Sequence, residues 1–82
     1  MIYGVYAVRD LKTGYLSPMV EANDAAAVRG FKHATSKVDS LFFTSPSDYQ
    51  FFRIGTYDTD DGILISEDHK LLVSASDFVK EE

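Results

Sequence analysis

The residues of this chain that could do chemistry are rings and cations on alternate positions. Tyr49, Phe51, Arg53 and Tyr57 are separated by two or four residues, so in an extended segment they share one face. Rings interleaved with a cation on an open sheet can stack unpaired bases, at ~1–3 kcal/mol per base, while the cation meets a phosphate. Arg9 and Lys12 near an early turn, and Arg29, Lys32 and Lys37 further on, supply cations that could track a phosphate backbone. Together these residues are the candidate contacts to single-stranded DNA. The same rings also suit a core or a dimer interface, and a helix on the opposite face would separate its own cations from the aromatic row.

Other chemistries find no support. Asp58, Asp60 and Asp61 precede Gly62, but a calcium loop needs a ligand where Gly62 stands and glycine where Ile63 stands. His33 and His69 lack a second ligand at a metal-binding spacing. No serine sits in a nucleophile elbow, and no glycine-rich phosphate cradle follows a strand. Glu67 and Asp68 lie in a polar stretch without the burial that would tune a carboxyl for acid catalysis. With no cysteine, disulfides and thiolate sites are excluded. The expectation is a nonenzymatic protein with no cofactor and no metal.

The elements that must position the candidate contacts are short, because 82 residues allow one domain, here 1–82. Ile2 to Arg9 reads as a central strand, with Ile2, Tyr6 and Val8 on one face and Tyr3, Val5 and Ala7 on the other. Tyr15 to Glu21 continues extended, and Pro18 puts it at an edge or bends it. Asn23 or Asp24 caps a helix through Ala34, with Ala27, Val28, Phe31 and Ala34 as its apolar stripe and Arg29, Lys32, His33 and Lys37 roughly opposite. Gly30 within it marks close packing on the sheet.

Tyr49 to Asp58 is the clearest strand. Asp58 to Gly62 forms a hairpin loop, Ile63 to Ser66 returns, and a polar turn at Glu67 to Lys70 leads to a further strand, Leu71 to Ser74. The order is β-β-α-β-β-β: an α+β fold with four to five antiparallel strands and one amphipathic helix.

One modest helix cannot cover a sheet that is apolar on both faces. Either Leu41-Phe42-Phe43 folds over the second face or a second copy does, most simply in a two-fold homodimer. Charge is also uneven: residues 1–40 carry five bases against four acids, and the rest three bases against nine acids, for a net charge of −5. A local basic face can still attract phosphate, since the screening length is ~8 Å at physiological salt. The first residues lack the basic stretch of a signal peptide and no apolar run reaches a membrane span, so a cytoplasmic protein is expected.

Tyr6-Ala7-Val8-Arg9-Asp10 followed by Pro18, the segment Ala27-Val28-Arg29-Gly30-Phe31, and above all Pro46-Ser47-Asp48-Tyr49-Gln50-Phe51-Phe52-Arg53-Ile54-Gly55-Thr56-Tyr57-Asp58 with Gly62 resemble the small nonstructural proteins of microviruses, particularly the gokushovirus group. The resemblance implies a protein of single-stranded DNA phages, made in the infected bacterium, absent from the capsid and often labelled DNA-binding. It would assist the switch from duplex amplification to single-strand synthesis and packaging. Two readings follow: weak binding of single-stranded DNA, or an adaptor acting on the phage replication initiator or on procapsid assembly without touching nucleic acid.

Overall fold

Both faces of β1 (Ile2–Asp10) are apolar, and the strand is the hub of the sheet, as a strand buried on two sides must be. In the computed structural model, which describes residues 1–79, it pairs antiparallel with three others. β2 (Gly14–Tyr15) and β3 (Met19–Glu21) flank it on one side, and β4 (Tyr49–Asp58) lies on the other. β5 (Ile63–Ser74) follows as the far edge. The α+β architecture matches the sequence reading. The Tyr15–Glu21 segment is both an edge and bent, because Pro18 has no N–H to donate and the ladder breaks into two short pieces.

α1 (Asp24–Thr35) starts where Asn23 accepts a hydrogen bond from the Ala26 N–H at 2.8 Å. It packs Ala27 and Phe31 onto Tyr6, Val8 and Phe51 of the sheet. Gly30 is not a close-packing point: a Cβ there would meet nothing within 4 Å, and the residue is exposed. A four-residue helix, α2 (Leu41–Thr44), is capped by Ser40 and followed by a 3₁₀ turn over Pro46–Asp48. The Leu41-Phe42-Phe43 segment does not cover the second face of the sheet. Phe42 instead joins the helix-side core, 5.6 Å from the Phe31 ring and 4.8 Å from that of Tyr49.

Two features of register shape everything else. Val5 pairs with Gly55 but Tyr6 with Arg53, which leaves Ile54 as an extra residue in β4. Because cross-strand partners share a face, this bulge puts Tyr49, Phe51 and Arg53 on the helix side and Gly55 and Tyr57 on the other. The expected turn at Glu67 to Lys70, with separate strands before and after it, is not there. Arg53 pairs with Lys70 and Gly55 with Ser66, so Glu67, Asp68 and His69 bulge from one continuous strand opposite Ile54 alone. Charged residues and bulges along an edge also blunt its capacity to recruit further strands.

Candidate functional site

The residues singled out from the sequence do not form one surface. Phe51 is fully buried, its ring between those of Phe31 at 4.8 Å and Tyr6 at 5.7 Å, both nearly parallel to it. Tyr49 is buried edge-on against Phe42, and that burial raises its phenol pKa. Neither ring can offer a face to a base, so both leave the candidate site for the core.

Arg53 is committed elsewhere. Its Nη1 donates to Asp24 Oδ1 at 2.7 Å, its Nε lies 3.6 Å from Glu67, and its guanidinium sits over the Tyr6 ring. Tyr6 donates its hydroxyl to the same Asp24 oxygen at 2.7 Å. Burial, then that bond to the carboxylate, pushes the Tyr6 phenol up to about 12. The Tyr6 and Arg53 donors in turn hold the Asp24 carboxyl below its ordinary value. This knot anchors the start of α1 to the sheet. It depends on Gly4, where any Cβ would collide with the Tyr6 ring lying across it.

Arg29, Lys32 and Lys37 are exposed on and just after α1, with Lys32 drawn over the ring of Phe78. They lie on the helix side, away from Tyr57. Lys12, in the β1–β2 turn, is 4.0 Å from Asp48. Of the expected contacts, Arg9 stands beside the exposed ring of Tyr15.

The rings around it, Tyr15, Phe52 and His69, are not among the expected contacts. Gly14 adopts φ 112°, a turn conformation favouring glycine, and sets Tyr15 directly across from Arg9. The Arg9 guanidinium lies 5.9 Å from the Tyr15 ring centre. Phe52, opposite Ala7, meets the Tyr15 ring edge-on at 5.7 Å. His69 sits 5.0 Å from the Tyr15 ring and 6.5 Å from that of Phe52. Tyr15 Oη and His69 Nδ1 share a hydrogen bond of 2.8 Å.

That bond joins opposite edges of the sheet. β2 and β5 are three strand spacings apart, about 14 Å in a flat sheet. The Glu67–His69 bulge lifts His69 across the face to meet Tyr15, and Ala7, small enough to lie beneath them, is buried. Of the four residues of the cluster, Phe52 is half-buried and Arg9, Tyr15 and His69 are exposed. Two signals could have found it: the tight turn that forces Arg9 opposite Tyr15, and the second phase of the β4 alternation, which carries Phe52. Nothing local predicts His69, whose position depends on the bulge.

Among the described residues no cluster of acids and histidines is arranged to hold a metal ion. The arrangement is that of a small α+β protein whose helix-free face presents rings beside one guanidinium. The model of the Phage ORF5 protein family matches residues 3–78, nearly the whole chain, and the protein belongs to that family. No curated protein and no solved structure matches it.

Proposed function

We propose that this phage protein is a nonenzymatic accessory factor that binds single-stranded DNA weakly through the helix-free face, at Arg9, Tyr15, Phe52 and His69, with Lys12 at the margin. The reading extends to a microvirus of the gokushovirus type, with the protein working in the host cytoplasm during genome replication or packaging. The observation that carries it is the cluster itself: three accessible rings within 6.5 Å of one another, one of them beneath a guanidinium. Such a surface stacks bases irrespective of sequence. With a net charge of −5, one cation beside the rings and a second, Lys12, in the adjoining turn, electrostatics contribute little, which favours transient over tight binding.

Anisotropy of a labelled oligothymidine tests the reading. Two phosphate contacts on a single strand give a log–log salt slope of about −1.4. Tyr15→Ala and Phe52→Ala should each weaken binding roughly 5- to 150-fold, the equivalent of ~1–3 kcal/mol per lost stack. Replacing Arg29 and Lys32 by glutamate should change the affinity less than twofold, since they lie on the other side. No binding at low salt, or a loss confined to the helix variant, would reject the helix-free face as the contact. The adaptor reading is favoured by a different observation, the apolar strands exposed at the opposite end of the molecule.

A further inference from the structure

The sheet outruns its helix. α1, with 12 residues, is about 18 Å long, whereas the 12 residues of β5 extend for about 40 Å. Asp24 at the start of α1 is tied to Tyr6 and Arg53, so the rows beyond them are bare. In those rows Ile2 lies across from Asp58 and Ile63, and Gly4 across from Thr56 and Ile65. Register puts Ile2, Ile63 and Ile65 on the helix side, where they remain 60%, 52% and 56% exposed. Together their exposed apolar surface is on the order of a few hundred Å², the size of the largest patch on a typical monomer, which is often functional.

The rim of this surface says what kind of partner. Glu21 faces it from β3, opposite Gly4; Asp58, Asp60 and Asp61 stand at the hairpin tip; Glu67 borders it at the base. The Met1 ammonium, 3.1 Å from Asp60, offsets one of the tip charges. Arg53, at the base, is engaged by Asp24 and Glu67, and Lys70 pairs with it in the same row. A second copy laid on this surface would bring the same acids against one another, so the charge argues against it.

We infer that the bare end of the sheet, at Ile2, Ile63 and Ile65, is a docking surface for a basic amphipathic helix of another protein, lying where α1 stops short. Its apolar side covers the isoleucines and its lysines or arginines meet the acidic rim, the helix-on-surface mode of recognition. The surface is at the opposite end from the Arg9 cluster and does not depend on the DNA reading; it gives the adaptor reading a site and a partner chemistry.

A labelled synthetic amphipathic helix of leucine and lysine is the probe, with a leucine–glutamate twin as its control. The lysine peptide should bind, and the glutamate twin should bind at least tenfold more weakly. Ile63→Ser with Ile65→Ser, which leaves every charge in place, should lower affinity at least tenfold. Asp60→Asn with Asp61→Asn should lower it a few-fold and flatten its salt dependence. Tyr15→Ala should leave peptide binding unchanged, which separates this test from that of DNA binding. Equal binding of both peptides, or binding indifferent to the isoleucine changes, overturns the inference. So does a wild-type dimer in sedimentation that the same isoleucine changes dissociate, since the surface would then belong to a second copy.

Discussion

Phe51 and Phe52 are neighbours in the chain, yet they belong to opposite regions with opposite economies. On the helix side, Phe51 is fully buried in a column of rings with Tyr6 and Phe31. On the helix-free side, Phe52 is half-buried in a cluster whose other members are exposed. The strand's two-residue period makes this division, and the helix decides which side becomes core. A face closed by α1 contributes stability, whereas a face closed only by Tyr15 and His69 reaching across Ala7 keeps rings accessible for binding.

The largest test of that contrast is its removal on each side in turn. Phe51→Ala should cost about 3–5 kcal/mol, since the column leaves a cavity that neighbouring rings cannot easily fill. Phe52→Ala should cost roughly 1–2 kcal/mol, because it gives up only partial burial. Urea unfolding followed by tyrosine fluorescence measures both. Equal costs would mean that the two faces are not energetically distinct.

A smaller effect concerns how the strands meet at the boundary between the regions. A Cβ on Gly55 would run into the Ile65 carbonyl oxygen, which is backbone and cannot swing aside. Gly55→Ala should therefore cost about 1–3 kcal/mol by forcing β5 away from β4. Gly30→Ala should have the opposite sign, a gain of up to ~1 kcal/mol, because that helical position is open and alanine is the better helix former. Thermal melts of the two variants shifting in the same direction would contradict this account.

These particulars also mark what was legible in the sequence. Strand β1, the Asn23 cap, the apolar stripe of α1 and the interruption at Pro18 could be read because each is a local pattern of residue type and spacing. The site could not, because it turns on Ile54. One unpaired residue reverses the phase of β4, so Tyr57 parts from Phe51 and Arg53 although the alternation puts them together. The polar run Glu67 to Lys70 resembles a turn for a related reason: its composition suits a bulged edge as well as a loop, and only pairing with β4 distinguishes them. Gly30 is ambiguous in the sequence because the same residue serves tight packing and tolerated exposure.

A further effect lies in the knot where α1 is fastened to the sheet, and pH reads it. Asp24 titrates below its ordinary value in the folded chain. Its contribution is therefore present above the unfolded-state value near 3.8 and is lost as pH falls through the folded one. Tyr6 is shifted the other way, from 10.0 up to about 12. Its contribution is complete below pH 10 and is lost between there and about 12, as the unfolded chain ionises first. Tyr6→Phe should flatten both limbs of a stability–pH profile: it has no phenol to ionise, and it takes from Asp24 the hydroxyl that contributes most to lowering its pKa. Asp24→Asn should flatten the acid limb by removing the titrating carboxyl. It should also shrink the alkaline limb, which would end at a lower pH, because a carboxylate no longer opposes ionisation of the phenol. If Tyr6→Phe left both limbs unchanged, the Tyr6 hydroxyl would play no part in the knot, and α1 would be held to the sheet by the ring column and the Asp24–Arg53 ion pair alone.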